Sequence, residues 1–125
     1  MYVEKHLVSI TTNATGDGIG YTPVVTGKII SIHYVKPASG GYADGVDIDV
    51  VSADSGRVIW SQDDVNASAA VAPREPTHST AGVAALYAAE GTAVLDYICV
   101  AAERIKITVD DGGNGGTGTF LVIVG

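Results

Sequence analysis

Three glycines near the end of the chain have the spacing of a dinucleotide-binding fingerprint. Gly113, Gly115 and Gly118 follow G-x-G-x-x-G within DDGGNGGTGTF, residues 110–120. This fingerprint binds pyrophosphate only where the glycines follow a strand and open a helix, whose N-terminal N–H groups hold the anion. ERIKITV before the glycines is strand-like, but TFLVIVG after them is β-branched and aromatic. The sequence therefore predicts a mobile hairpin loop between two strands, with no nucleotide and no other cofactor.

The remaining reactive side chains are scattered along the sequence. His6, His33 and His78 are far apart and share no metal-ligand spacing, although His33 is expected to be a partly exposed strand residue. Ser79 adjoins His78, but adjacent residues rarely orient as nucleophile and base, and there is no G-x-S-x-G elbow. Cys99 has apolar neighbours and is expected to be a small buried hydrophobe. These patterns predict no catalytic residues and no metal site, so the chain is not expected to be an enzyme.

Two residue types leave a binding function open. DGVDIDVVSADSG and DDGGNGG are rich in carboxylates, as calcium loops are, but neither has a Glu at the closing position of the twelve-residue pattern. A solvated acidic face is the preferred interpretation and a loose calcium site is the alternative. The six tyrosines either line a sugar groove or cap the core with their hydroxyls at the surface.

The overall charge excludes several classes of partner. Seven Lys and Arg residues stand against fourteen Asp and Glu residues, which gives a formal net charge of −7. Nucleic-acid binding normally needs a clustered basic patch, and none is present. The same acidity disfavours an anionic membrane surface, and no apolar run is long enough to span a bilayer. The opening MYVEKHLVSI also lacks the pattern of a signal peptide.

Alternating hydrophobicity with period two dominates the sequence. DGVDIDV places Val46, Ile48 and Val50 on one face, and ERIKITV alternates in the same way, as half-buried strands do. GKIISIHYV and TFLVIVG are apolar on both faces, as in strands that are central or that touch a second protein. Strands are predicted near residues 5–12, 19–25, 28–36, 44–53, 57–61, 94–101, 104–110 and 117–124.

Residues 62–92 interrupt this pattern. The stretch is Ala-rich with little β-branching, and GVAALYAAE within it has the composition of about two turns of helix. Long loops within a compact domain are usually functional or disordered, so the stretch is predicted to be a long irregular loop or arm that packs against a neighbouring molecule. A loop that covers the domain's own core is the alternative. The interface candidates, including one from the glycine loop, are Val71, Pro73, Arg74, Leu86, Tyr87 and Asn114.

Eight strands, one long excursion and almost no helix predict an all-β fold in a single domain, residues 1–125. An antiparallel β-sandwich of the jelly-roll type accommodates eight strands, and an immunoglobulin-like sandwich is the alternative.

The layout also resembles that of small β-rich proteins encoded among the head genes of tailed bacteriophages. The likeness lies in the ITT-x-A-T-G-D opening, the TGKIISIHYVK strand and the HSTAGVAALYA middle segment, and it covers most of the chain. The resemblance implies a virion component made in the host cytoplasm, a capsid cement or decoration protein on the head exterior. Its partners would be the major capsid protein and further copies of itself. A head–tail joining or tail protein is a further alternative, beside a carbohydrate- or calcium-binding module.

Overall fold

A computed structural model describes residues 2–125 as ten β-strands, with no helix within that range. The strands are β1 (Glu4–Thr11), β2 (Gly18–Tyr21), β3 (Val25–Val35), β4 (Asp47–Ser52), β5 (Val58–Gln62), β6 (Ala69–Val71), β7 (Arg74–Pro76), β8 (Leu95–Glu103), β9 (Ile105–Asp110) and β10 (Thr117–Val124). The prediction of an all-β fold is confirmed.

Four antiparallel strand pairs nest inside one another along the chain. β1 pairs with β10, β2 with β9, β3 with β8 and β4 with β5. Successive pairs fall alternately into a first sheet, β1-β10-β3-β8, and a second sheet, β2-β9-β4-β5. A long hairpin wound in this way over two sheets is a jelly roll, so the predicted antiparallel sandwich is confirmed. The short strands β6 and β7 extend the first sheet beside β3 and β8.

The core lies between the two sheets and consists mainly of β-branched residues. Alternate positions of each long strand face inward, and β10 alternates between buried and half-buried over its whole length. Burial of each such side chain stabilises the fold by about 1.5–3 kcal/mol relative to an exposed one. The fully buried members include Ile29, Ile32, Ile48, Val50, Ile105, Ile107, Val109, Phe120 and Val122.

An aromatic cluster closes one end of this core. The ring of Tyr34 stacks between Phe120 and Tyr42, with centroid distances of 5.2 Å and 5.9 Å. Tyr42 lies directly over Gly118, where an added Cβ would come within 2.4 Å of the ring. Gly118 is therefore required by this close approach and has no relation to a phosphate.

The glycine loop is held in place by hydrogen bonds around one buried threonine. Thr12 donates its hydroxyl to the carbonyl of Gly113 at 2.6 Å and accepts a bond from the N–H of Gly116 at 2.9 Å. The N–H of Gly112 donates to the carbonyl of Gly16 at 2.9 Å. These contacts tie the loop to the neighbouring β1–β2 loop. The prediction of a hairpin was wrong, because the flanking strands β9 and β10 belong to different sheets and do not pair with each other.

Two other local predictions were wrong. The segment GVAALYAAE forms turns and isolated bridges and no helix, because its backbone groups bond to neighbouring extended segments. Cys99 is exposed, since Ile98 and Val100 on either side of it face the core and strand alternation turns the thiol outward. Half-buried His33 agrees with its expected place on a strand.

Candidate interaction surface

One end of the outer face of the second sheet is acidic, while Ile19, Tyr21 and Lys106 occupy outward positions toward its other end. Asp47 of β4 lies opposite Asp110 of β9, and Asp49 follows two residues along β4. Burial raises the pKa of Asp110, as do a hydrogen bond and the charge of Asp17, with smaller effects from Asp49 and Asp111. Within residues 2–125 no group of three or more His, Cys, Asp or Glu side chains is arranged to hold a metal ion. This end of the face is therefore a region of mutual carboxylate repulsion.

The outer face of the first sheet carries apolar side chains among hydroxyl groups and lysines. The strand register places Leu7, Leu121, His33 and Ala70 in one row across β1, β10, β3 and β6. Leu7 is 62% exposed, although it occupies a paired strand. We call the outward side of these four strands and β8 the apolar face.

Its only charges are positive. Within the strands of the apolar face, Lys5 of β1 and Lys28 of β3 occupy outward positions, and no Asp or Glu does. Exposed Leu7 lies beside half-buried Leu121 and Ile123 on this face, and exposed apolar side chains that cluster together mark a candidate interaction site. The acidic cluster of the second sheet has no counterpart at the outward positions of the first sheet.

An exposed extension projects between β7 and β8. Residues 77–94, which we call the tongue, fold back on themselves through backbone bonds between Thr77, Ala85 and Val94. Tyr87 at its far turn is 75% exposed, and Leu86 is also exposed. Glu90 is the only charged residue in the tongue. The tongue is thus a second apolar element that the domain does not cover.

Residues 73–76, which lead into the tongue and which we call its root, are held against the sandwich. The guanidinium of Arg74 lies 4.0 Å from the ring centroid of Tyr97 and donates to the carbonyl oxygens of Pro73 at 2.8 Å and Ile30 at 3.3 Å. Glu75 forms an ion pair with Arg57 of the β4–β5 turn, which ties the root to the second sheet. These contacts fix the point from which the tongue leaves the domain.

The interface candidates predicted from the sequence are distributed over three environments. Val71 is partly buried and packs against the core, and Pro73 and Arg74 are half-buried at the root. Leu86 and Tyr87 are exposed on the tongue, while Asn114 is exposed at the tip of the anchored glycine loop.

The structure brings the tongue residues together but places Asn114 on a separate loop. Sequence analysis missed Leu7 and Leu121, which the strand register joins in one row. The signal was the two-sided apolar character of TFLVIVG and of its partner strand.

A cavity of about 340 Å³ lies at one end of the apolar face, lined by Tyr2, Lys28, Ile30, Tyr97 and Gly125. Lys28 places its ammonium 5.2 Å from the centroid of the Tyr97 ring. This is the size of a small-ligand site, with aromatic walls and one cation. Over residues 2–125 no helix is present that would be long and apolar enough to cross a bilayer.

Comparison with known proteins gives little beyond this geometry. No protein-family model matches the chain, and no curated protein sequence does. A solved structure described as "Crystal Structure of FLHE" matches 99% of this chain and 98% of that chain, with a TM-score of 0.45 and 11% sequence identity. A likeness at this level carries no functional information.

Proposed function

We propose that this chain is a structural protein of a tailed-phage virion, a cement or decoration protein that binds the outer surface of the head. The observation that carries the proposal is the exposed apolar tongue beside a sheet face that has no outward carboxylate, with a carboxylate cluster on the opposite sheet. Such a division suits a protein with one side against other proteins and the other side toward solvent.

The electrostatics favour the outside of the shell. A chain with a net charge of −7 is repelled by packaged DNA, and its acidic face would meet that repulsion directly on the inner side. The apolar face and tongue carry few charges, so their burial against protein has a small desolvation cost. The major capsid protein and further copies of the chain are the partners that this arrangement fits, and the proposal assigns the chain no reaction.

Cementing needs only modest affinity per copy. Any protein that binds the assembled shell more tightly than the dissociated subunits stabilises the shell by mass action. A free ligand concentration of about 100 times the dissociation constant contributes about 2.7 kcal/mol per site, which is multiplied over many sites. The rigid root at Arg74 supports this role, because a tongue that leaves the domain in a fixed direction loses less entropy on binding.

The test uses purified protein and expanded heads that lack it. We expect the protein to co-sediment with the heads and to raise their melting temperature. Tyr87→Ala should weaken binding about tenfold or more, as truncation of an exposed aromatic anchor does. Tyr21→Ala is the matched control, because Tyr21 is 47% exposed on the second sheet and should leave binding unchanged. Absence of both co-sedimentation and thermal stabilisation would refute the proposal.

A carbohydrate-binding module is the second candidate, and it rests on the cavity between Tyr2 and Tyr97. Aromatic rings beside a cation can stack on a sugar and hydrogen-bond its hydroxyls. This function predicts saturable binding on a glycan array that Tyr2→Ala abolishes, a variant that leaves the stacking of Arg74 on Tyr97 intact. Absence of a glycan signal from the wild-type chain, with head binding that survives Tyr2→Ala, would favour the cement function. A head–tail joining role is separated by copy number in purified virions, about a dozen against hundreds.

A further inference from the structure

We infer that the apolar face of one copy is covered by the tongue of a second copy. The inference deepens the proposed function and rests on it in treating the chain as an assembly protein. The occupant of the apolar face is a second molecule of the same chain, which binds through residues 77–94.

Neither the apolar face nor the tongue is covered by other parts of the same molecule. Leu7 of the apolar face and Val83, Leu86 and Tyr87 of the tongue all remain exposed, so the tongue does not fold back over its own sheet. Contact between them in two molecules would remove apolar area from water on both sides. Burial of such area stabilises association by about 25 cal/mol per Å² before the costs of association are subtracted.

The charges on the two surfaces are complementary. Glu90 is the only charged residue of the tongue, and the charges at outward positions of the apolar face are the cations Lys5 and Lys28. Lys28 already lies over the ring of Tyr97, whereas Lys5 is exposed beside the Leu7 row. We therefore assign Lys5 as the partner of Glu90 across the contact.

The acidic face selects against other ways of pairing two copies. Any contact that buries the surface around Asp110 in both molecules places like charges together, which is unfavourable. The tongue and the apolar face are different surfaces, so the contact is heterologous. Repetition of such a contact gives a closed ring if the rotation between neighbours closes and an open chain if it does not, whereas a reciprocal exchange of tongues gives a two-fold dimer.

The experiment measures sedimentation velocity of the purified protein over a range of concentrations, without heads. We expect the wild-type chain to self-associate and Leu7→Lys to raise the dissociation constant about tenfold or more. Val58→Lys is the matched control, because Val58 is 59% exposed on the second sheet and lies outside both surfaces. Circular dichroism and the unfolding midpoint verify that each variant keeps its fold.

A charge exchange tests the orientation. Glu90→Lys and Lys5→Glu should each weaken association about fivefold, and the double variant should recover most of the wild-type affinity. A wild-type chain that is monomeric at every concentration overturns the inference, as does an oligomer indifferent to Leu7→Lys. A double variant no better than the single ones also overturns the assigned arrangement.

The same proteins distinguish this inference from the proposed function. A monomer that still binds heads rejects the tongue contact and leaves the cement function in place. An oligomer that does not bind heads but whose association is weakened by Leu7→Lys supports the tongue contact and rejects the cement function.

Discussion

Replacement of Tyr42 by phenylalanine removes one buried hydroxyl and little else. The Tyr42 hydroxyl donates to the carbonyl oxygen of Ile10 at 2.7 Å, which ties the β3–β4 loop to strand β1. Burial is the main reason that the pKa of Tyr42 is raised, followed by the nearby Tyr34, so the hydroxyl keeps its proton in the fold. The variant should therefore lose one donor and leave the Ile10 carbonyl without it.

The size of the effect follows from the environment. A neutral hydrogen bond contributes about 0.5–1.5 kcal/mol net, and an unpaired buried acceptor costs about 1–3 kcal/mol. We expect Tyr42→Phe to lower the free energy of unfolding by about 2 kcal/mol. With a urea m-value of about 2 kcal/mol/M, the unfolding midpoint should fall by about 1 M.

Tyr34 provides a matched control within the same cluster. Its ring stacks on Tyr42 and is equally buried, but its hydroxyl has no hydrogen-bond partner among residues 2–125. Tyr34→Phe removes a buried polar group that forms no bond, so stability should stay the same or increase by up to about 1 kcal/mol. Urea unfolding followed by the fluorescence of the buried Trp60 compares the two variants directly.

The sign of the difference decides the outcome. Equal losses in the two variants would mean that the cluster is held by ring packing alone and that the Ile10 contact adds nothing. A larger loss for Tyr34→Phe would refute the reasoning outright, since the hydroxyl without a partner would then be the stabilising one.

Three further predictions concern the loop, the acidic face and the tongue root. Thr12→Val should cost about 2–3 kcal/mol and speed amide hydrogen exchange in residues 111–117, because it removes a buried donor and acceptor. Asp110→Asn should raise stability at pH 7 by up to about 1 kcal/mol. This gain in stability over the wild type should disappear at low pH. A carboxyl with a raised folded-state pKa makes its full contribution to stability at low pH, and that contribution is lost as the pH rises through the raised pKa. Arg74→Lys should lose about 1 kcal/mol of stacking on Tyr97 and speed chymotryptic cleavage in the tongue.

Each of these has a control of the same chemistry. Thr80→Val alters an exposed threonine of the tongue and should leave exchange in residues 111–117 unchanged. Asp54→Asn in the exposed β4–β5 turn should not reproduce the stabilisation at neutral pH. The guanidinium of Arg104 lies 6.0 Å from the centroid of the Tyr21 ring, so Arg104→Lys should leave the rate of cleavage in the tongue unchanged. If a control variant shows the same change as its test variant, the explanation given for that test variant is wrong.

The strands could be predicted because a period-two pattern is local. Ile105, Ile107 and Val109 alternate with polar residues, and burial of one face follows whichever partner the strand finds. The same rule would have placed Cys99 outside, since Ile98 and Val100 flank it. The apolar neighbours of Cys99 favour burial by composition alone, whereas the alternation of the strand turns its thiol to the exposed side.

Residues 62–92 could not be predicted at the same level. β6 and β7 have three residues each, which is too short for a period to be read, and their partners are distant in sequence. The alanines of the tongue have high helix propensity, but a nine-residue helix is marginal and bonds to neighbouring extended segments replaced it. Interactions distant in sequence thus overrode the local preference.

The fold class, the long excursion, the strand-like segment after the glycines and the net charge of −7 all follow from the amino-acid sequence. Where that charge lies and which apolar residues meet depend on how the strands pair. Leu7 and Leu121 are 114 positions apart and become neighbours through the β1–β10 register, while Asp47 and Asp110 meet on the opposite sheet. The net charge is a sum over residues and does not depend on the fold. The neighbours on a surface are set by strand pairing, which depends on contacts between distant segments of the chain.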